Sequence, residues 1–372
     1  MRVIVACLTL TTILGGHAVV EADQFAQRGR AIVSAVYVMT NDPSRNAVLM
    51  FRRAANGQLT LVDRQATGGR GGTGNGVGEV DPLGSQDSLI ANGDASRLLA
   101  VNAGSDEISS IGVSEKGLTL LSRVRSGGDF PNSVALHGDL VYVLNAHGTP
   151  NVSGFRLAAD GTLRPLAGST RPLPGGGAAA PHDVRFSPDG TRLIVTEDGT
   201  NQIDIFAVGN DGLLTGVTTA MSSGPGPFGF AFARDGFVIV TEAASASVSS
   251  YELASTNALT VITPSVVNGQ AASCWISLTP QGQAFISNTA SATLSAYQVA
   301  PEGQLTLVNA VAATTGNGSA PIDSALSGDN RFLYVIDSAQ GKIMTFAVNG
   351  TGLTKLTVIT NVPKTSQGIV AR

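Results

Sequence analysis

One pattern of apolar and polar positions recurs seven times along the chain. Each copy has an apolar strand ending on a polar residue, a short loop, and a second strand ending on a large apolar residue. A turn and a Leu follow seven or eight residues later. The polar residues that end the first strand of each copy are Thr40, Asn102, Asn145, Glu197, Glu242, Asn288 and Asp337. Several short strands in units of about 40–50 residues are typical of β-propeller blades.

A further strand precedes each copy after the first and ends in a tight turn such as Pro188-Asp189-Gly190. Turns of this composition connect the strands of hairpins. Each blade is therefore predicted to have four antiparallel strands, which we number from the inner strand outward. The sequence predicts an all-β, seven-bladed β-propeller.

The two ends of the chain are expected to share the first blade. The first copy begins at its second strand, at Val36, and has no inner strand of its own. The segment 366–370 resembles an inner strand that no blade follows. Pairing of these two segments would close the ring by hydrogen bonds between strands and would protect open strand edges.

The first residues have the features of a secretory signal peptide. Arg2 precedes an apolar run over residues 3–14, and the small residues Ala18 and Ala22 follow as possible cleavage sites. A buried first strand is the alternative. We predict a signal peptide over 1–22, a lead segment over 23–35 and the propeller over 36–372. No other apolar run is long enough for a membrane span, so we expect a secreted monomer, extracellular or periplasmic.

Composition and charge exclude several classes of function. Charged residues make up 13% of the chain and the net charge is −4, with no basic cluster for nucleic acid. The sequence contains no G-x-S-x-G, H-E-x-x-H or C-x-x-C motif and no phosphate-binding loop. Cys7 lies in the signal, so Cys274 has no partner for an intrachain disulfide and is expected to be buried.

Strand direction sorts the loops onto two faces of the ring. The Asp-Gly hairpins and Gly-x-Leu turns form one face, the hairpin face; loops entering inner strands and leaving second strands form the other, the entry face. Polar residues concentrate on the entry face and are expected to form an acidic cup at the channel mouth. They are Asn102, Asn145, His147, His182, Asp183, Glu197, Asp198, Glu242, Asn288, Asp323 and Asp337.

Within this set, His182 is the candidate general base, in the triplet Pro181-His182-Asp183. Glu242 and Glu197 are candidates for an acid, an orienting group or a cation ligand. The alternative is that these residues satisfy loop backbone groups around a water-filled channel. No cofactor is required; a divalent cation is possible, but the spacing specifies no ion.

The loop over residues 67–84 contains eight glycines and joins the first two blades on the entry face. It includes a G-x-G-x-x-G string without the strand-to-helix context of a dinucleotide site. A flexible lid or rim over the cup and a plain insertion are both compatible with this composition.

Two phrases, 187–195 and 327–335, together with the repeated blade spacing, resemble the seven-bladed lactonase family. That family includes bacterial 6-phosphogluconolactonase and the fungal carboxymuconate lactonizing enzyme. The resemblance implies that His182 corresponds to the histidine of the family's Pro-His phrase, and Glu242 to its glutamate after a second strand.

The chain departs from the family where further functional residues are expected. Val184 stands in place of a second histidine, Phe228 in place of an arginine, and Asn288 and Thr289 near the position of another arginine. Because arginines bind carboxylate and phosphate groups, their loss argues against a phosphosugar or tricarboxylate substrate.

The leading hypothesis is a secreted lactonase-like protein that hydrolyses or forms a small lactone, with His182 as base and Glu242 as partner or acid. The residues expected to contact the small-molecule ligand are Asn102, Asn145, His147, Asp183, Glu197, Asn288 and Asp337. The alternative is a non-catalytic binding or scaffold propeller.

Overall fold

A computed structural model describes residues 34–74 and 80–372. The predicted signal peptide and nearly all of the lead segment lie outside these residues. The described chain forms seven four-stranded antiparallel sheets, one of which carries an additional short strand. The prediction of a seven-bladed β-propeller is confirmed.

The strands follow one another along the chain from blade to blade. Blade 1 contains β1 (Ala35–Met39), β2 (Ala47–Arg53) and β3 (Leu59–Ala66). Blade 2 contains β4 (Leu89–Ala91), β5 (Arg97–Asn102), β6 (Glu107–Ser114) and β7 (Gly117–Arg125). Blade 3 contains β8 (Asp129–His137), β9 (Leu140–His147), β10 (Asn151–Leu157), β11 (Leu163–Pro165) and β12 (Arg171–Pro172). Blade 4 contains β13 (Pro181–Phe186), β14 (Arg192–Glu197), β15 (Gln202–Val208) and β16 (Leu214–Met221).

The remaining blades have the same order. Blade 5 contains β17 (Pro227–Phe232), β18 (Val238–Glu242), β19 (Ser247–Leu253) and β20 (Leu259–Val267). Blade 6 contains β21 (Ser273–Leu278), β22 (Gln283–Asn288), β23 (Thr293–Val299) and β24 (Leu305–Thr314). Blade 7 contains β25 (Pro321–Leu326), β26 (Phe332–Asp337), β27 (Lys342–Asn349) and β28 (Gly352–Thr360), and β29 (Ile369–Ala371) completes blade 1. Short 3-10 helices in the described chain lie at Ala103–Ser105, Gly176–Ala178, Arg234–Gly236 and Thr289–Ser291.

Apolar side chains between neighbouring blades form the core. The second strands are buried on both faces, which explains their continuous apolar sequences. Tyr142 and Tyr334 pack between blades and donate their hydroxyls to backbone carbonyls of the next blade. Tyr142 bonds Gly212 O at 2.9 Å, and Tyr334 bonds Gly57 O at 3.1 Å. The aromatic ring therefore fills the interface while its polar end is satisfied.

The ring closes as the sequence predicts. β29 pairs antiparallel with β1, with Val370 opposite Tyr37 and Ile369 opposite Val38. The chain ends thus supply the inner and second strands of one blade, and β29 covers the inner edge of β1.

Much of the described glycine-rich loop is buried against the propeller, whereas Gly68, Arg70, Thr73 and Gly74 are exposed. Gly71 lies so close to Asn41 that an added Cβ would stand 2.1 Å from the Asn41 carbonyl oxygen. Residues 81–86, where this loop leads into blade 2, are all buried. Glycine is required at position 71 because its backbone packs directly against the backbone of Asn41.

Candidate active site at the channel mouth

The polar residues that end the second strands are buried inside the blades. Asn102 donates to Ser109 Oγ at 2.8 Å and accepts from Thr67. Asn288 donates to Ser295 Oγ at 2.8 Å and accepts from Ser273. These side chains hold the strand ends to the adjoining loops, and the structure does not bring them together at an open surface.

Asn145 and Asp337 have the same kind of environment. Asn145 donates to Asn151 Oδ1 at 3.0 Å, and the Asp337 carboxylate accepts from Ala320 N at 3.0 Å. Asn145 and Asp337 are 0% and 1% exposed, respectively. At these positions the side chains satisfy local loop groups, as the alternative interpretation of the sequence describes, and their contact with a ligand stays a prediction.

Glu242 is completely buried, and its carboxylate accepts four hydrogen bonds. The donors are Gly224 N at 2.7 Å, Ser249 Oγ at 2.5 Å, Ser222 Oγ at 3.2 Å and the Ser247 hydroxyl. These contacts do not include His182, so the structure does not join the two predicted catalytic residues directly. The role of Glu242 in catalysis stays a prediction.

Glu197 is buried at the equivalent position of blade 4. Its carboxylate accepts from Thr200 Oγ1 at 2.5 Å and from Gly175 N at 3.3 Å. Asp204, on the neighbouring strand, lies beside it. Burial and the adjacent Glu197 carboxyl raise the pKa of Asp204 to about 8. Asp204 is therefore expected to keep its proton at neutral pH.

The segment over residues 81–86 crosses the channel mouth on the entry face. Its backbone and side chains bond to several blades around the ring. Gln86 accepts from Ile276 N of blade 6 at 3.0 Å, and Ser85 donates to Asn132 O of blade 3 at 2.7 Å. Leu83 N donates to Gln367 at 3.0 Å. This segment, which we call the plug, fills the mouth where the sequence predicted a cup.

His182 lies at the edge of the plug and is 8% exposed. Its Nδ1 is hydrogen-bonded to the Gly84 carbonyl oxygen. Because a carbonyl oxygen only accepts, Nδ1 carries the proton, and Nε2 of the neutral ring has a free lone pair. Nε2 lies 3.5 Å from Asp198 Oδ2 and makes no hydrogen bond within the described residues.

Aromatic rings form one side of this site. Phe228 stacks on His182 with ring centroids 4.1 Å apart, and Trp275 meets Phe228 edge-on at 4.9 Å. Trp275 Nε1 donates to Ser85 O at 2.9 Å, which ties the aromatic group to the plug. Phe228 thus places an apolar face where the family resemblance implies an arginine.

Two further titratable groups lie near His182. Asp81 of the plug accepts from Gln367 at 2.7 Å and from Gly84 N at 2.9 Å. Burial raises the pKa of Asp81 to about 6, an effect that the nearby His182 reduces. Cys274 is buried, as predicted, and burial together with the Asp81 and Asp198 charges raises the pKa of its thiol.

His147 and Asp183 are separate from this group. His147 stacks on Phe130 with centroids 4.1 Å apart, and burial lowers its pKa. Asp183, although adjacent to His182 in sequence, points to the channel wall and accepts from Phe230 N and Arg185 Nε. Successive residues of a strand point to opposite sides, which explains this separation.

Sequence reasoning identified His182 but missed Asp81, Phe228 as its stacking partner, and Arg185. Asp81 lies in a loop that composition suggested was flexible, and Arg185 follows Asp183 in an inner strand. The period-two alternation of that strand was the available signal for Arg185, because it places residues 183 and 185 on one side.

The described residues bear on metal binding and on membrane crossing. Across 34–74 and 80–372, no three His, Cys, Asp or Glu side chains are grouped so that they could hold a metal ion. Over the same ranges, the structure contains no helix of the length and apolar character needed to cross a membrane.

Residues 72–365 match the family model described as lactonase, 7-bladed beta-propeller. Since the match covers well over half of the chain, the protein belongs to this family of β-propellers. A comparison with curated proteins found no match to the sequence.

Solved structures from several bacteria have the same fold. A candidate 6-phosphogluconolactonase of Bacteroides uniformis is 22% identical, with a TM-score of 0.71 over 90% of this chain and 99% of that one. The periplasmic gluconolactonase PpgL of Pseudomonas aeruginosa is 18% identical, with a TM-score of 0.71 over 90% and 98%. A protein of Lactobacillus plantarum is 22% identical, with a TM-score of 0.72 over 89% and 97%.

Proposed function

We propose that the protein hydrolyses a small lactone, or closes one in the reverse direction, with His182 as the general base. The observation that supports this most directly is the buried Nε2 of His182, which has no hydrogen-bond partner among the described residues. Other buried side chains also leave a polar atom without a partner, but the imidazole nitrogen of His182 is one that can accept a proton from water or substrate.

The reaction requires one proton to move out and back. His182 Nε2 accepts a proton from water while the water oxygen bonds to the lactone carbonyl carbon. The ring C–O bond then breaks, and the imidazolium returns the proton to the leaving oxygen, which gives a hydroxy acid. Asp198, 3.5 Å from Nε2, stabilises the imidazolium in this scheme. Its side chain is 44% exposed, so its rotation would admit the ligand.

The surroundings of His182 favour an uncharged substrate. Phe228 stacks on the imidazole and Trp275 packs against Phe228, so His182 is flanked by buried apolar rings. The positions at which the family resemblance implies arginines hold Phe228 and Asn288. A phosphate or carboxylate at Nε2 would also face Asp198, whose negative charge repels it. We therefore propose a neutral lactone rather than a phosphosugar lactone.

A panel of lactones assayed with pure protein tests this proposal. We expect ring opening of at least one neutral lactone, with kcat reduced by about 100-fold or more in His182→Gln. His137→Gln is the matched control, because His137 is exposed on the hairpin face. Equal turnover by wild type and folded His182→Gln would reject His182 as the base.

We also propose that the protein is exported. The sequence pattern of residues 1–22 supports this, and one structural neighbour is named as periplasmic. Fractionation of cells that express the full chain, with N-terminal sequencing of the exported form, tests it. Recovery of the uncleaved chain in the cytosol alone would contradict export.

A second function is a non-catalytic binding propeller. The observation that favours it is the plug, which buries residues 81–86 at the mouth where a substrate would enter. This alternative predicts that a lactone raises the thermal stability of the protein by binding, yet undergoes no turnover. Turnover that depends on His182 would exclude it.

A further inference from the structure

A second cavity lies inside the ring and opens on the hairpin face, away from His182. It has a volume of about 550 Å³, and its walls are the inner strands of the blades. At its inner end, Gln86 of the plug bonds the Ile276 backbone across the channel. This inner-strand cavity is therefore separated from the proposed lactone site, and its size is typical of small-molecule sites.

Arg185 projects into this cavity from β13. The corresponding inner-strand positions of blades 2, 3, 5, 6 and 7, read from the strand register, hold small or apolar residues: Ile90, Ala135, Ala231, Ser277 and Ala325. The blade repeat does not require an arginine at this position. The small neighbours leave the space that its side chain and the cavity occupy.

Two carboxylates hold the guanidinium in place. Asp87 Oδ2 lies 2.9 Å from Arg185 Nη2, and Asp183 Oδ2 lies 3.2 Å from Nε. Asp183 is fully buried and also accepts from Phe230 N at 3.1 Å. Burying such a group of charges costs free energy that apolar residues would not. A use beyond stability accounts for its presence.

The group keeps hydrogen-bonding capacity. Within the described chain, Arg185 Nη1 and Asp87 Oδ1 make no hydrogen bond or ion pair to protein groups. Ser277 and Ser324 present paired hydroxyls 2.8 Å apart on the neighbouring wall. Donors and acceptors therefore alternate around a cavity that also has apolar surface from Ile90, which is only partly buried.

The charges in this cavity largely compensate one another. Arg185 is opposed by Asp87 and Asp183, and burial raises the pKa of Asp87 to about 7 and that of Asp323 well above its usual range. Arg372, also in the cavity wall, donates to Asn92 O at 3.2 Å. The cavity thus lacks a strong net charge with which to select an ion.

We propose that the inner-strand cavity binds a neutral polyhydroxylated molecule of about mono- or disaccharide size. Neighbouring hydroxyls of such a ligand accept from the Arg185 guanidinium and donate to Asp87, and its C–H face packs on Ile90. Paired hydroxyls match the alternation of fixed donors and acceptors, whereas an ion would disturb the compensated charges. This site is independent of lactone hydrolysis at His182.

Isothermal titration calorimetry of the exported chain with D-glucose and maltose tests the proposal. We expect at least one of them to bind with a Kd of about 1 mM or tighter. Arg185→Lys keeps the charge but loses the planar fork, and it should weaken binding about tenfold or more. Asp87→Asn provides a second variant if Arg185→Lys does not fold.

The controls separate the two sites. Arg164→Lys, on the exposed outer strand of blade 3, and His182→Gln should both bind the sugar as wild type does. No binding of either sugar, or equal binding by wild type and folded Arg185→Lys and Asp87→Asn, would overturn the proposal. Tighter binding of D-gluconate or ethanolamine would also overturn it, because a charged ligand would then be preferred.

Discussion

Glu197 and Glu242 end the second strands of adjacent blades but have different partners. Ser249 donates a hydroxyl to Glu242, whereas at the corresponding position Asp204 presents a second carboxyl group to Glu197. A single position thus distinguishes a fully hydrogen-bonded carboxylate, Glu242, from a pair of carboxyl groups, Glu197 and Asp204, that keeps a proton. A threonine precedes the glutamate in both second strands (Thr196 and Thr241), so the pattern of these strands alone could not distinguish the two sites.

Glu242 is expected to anchor the loop over residues 222–224. Glu242→Ala should lower the free energy of unfolding by about 3 kcal/mol, because it leaves the Gly224 N–H buried without an acceptor. Glu242→Gln retains an acceptor oxygen at the position that Gly224 and Ser249 contact, and should cost about 1 kcal/mol. Chemical denaturation of both variants measures these differences.

The same variants test the catalytic role that the sequence predicts for Glu242. Glu242→Gln cannot donate an acidic proton, so a large loss of kcat in folded protein would establish that role. If Glu242→Ala were as stable as wild type, the anchoring role would be wrong.

Asp204 should make stability depend on pH. Its pKa is about 8 in the folded protein against 3.8 for the free side chain, so the folded state holds the proton more tightly. This contribution to stability is fully present below about pH 4 and is lost as the pH rises to about 8.

Asp204→Ser gives blade 4 the serine that blade 5 has, and should flatten this part of the pH profile. Thermal melts between pH 4 and 8 compare it with wild type, and Asp211→Asn, on an exposed turn, serves as the control. An identical slope in Asp204→Ser and wild type would show that Asp204 is not the group responsible.

Among the elements, β29 has a position that no other strand shares. It follows the last blade in sequence but is the inner strand of the first, and it holds the ring closed through Tyr37, opposite Val370. Val370→Pro removes the N–H of this pair, and we expect it to lower the free energy of unfolding by about 1–3 kcal/mol. Val370→Thr keeps the N–H and the β-branched shape, and should behave nearly as wild type.

Denaturation curves of both variants check the closure. Equal stability of Val370→Pro and Val370→Thr would mean that pairing of β29 with β1 contributes little.

The sequence predicts the strands better than the site. The blade strands follow from the repeated apolar phrase and its turn residues, and even the pairing of β29 follows from counting strands per blade. The plug depends instead on contacts distant in the chain, such as Gln86 with Ile276 and Leu83 with Gln367. Such contacts leave no periodic signal, so a glycine-rich loop that is tightly packed was indistinguishable from a flexible one.

The whole molecule has two chemically different faces. On the entry face, aromatic rings and carboxylates surround His182. On the hairpin face, Arg185 lies within the inner-strand cavity. His182 corresponds, by the family resemblance, to the histidine of the Pro-His phrase, whereas Arg185 has no counterpart in the blade repeat. The two proposed ligand sites therefore lie on opposite faces of one ring.

The plug also decides how molecules exchange with each site. Gln86 bonds the Ile276 backbone of blade 6 and is 3% exposed, so it closes the inner-strand cavity at the end nearest the plug. A ligand in the inner-strand cavity must therefore leave through the hairpin face, by which it entered. At the proposed His182 site, a bulky product would delay binding of the next substrate. Ligand exchange on the entry face would not affect ligand exchange on the hairpin face.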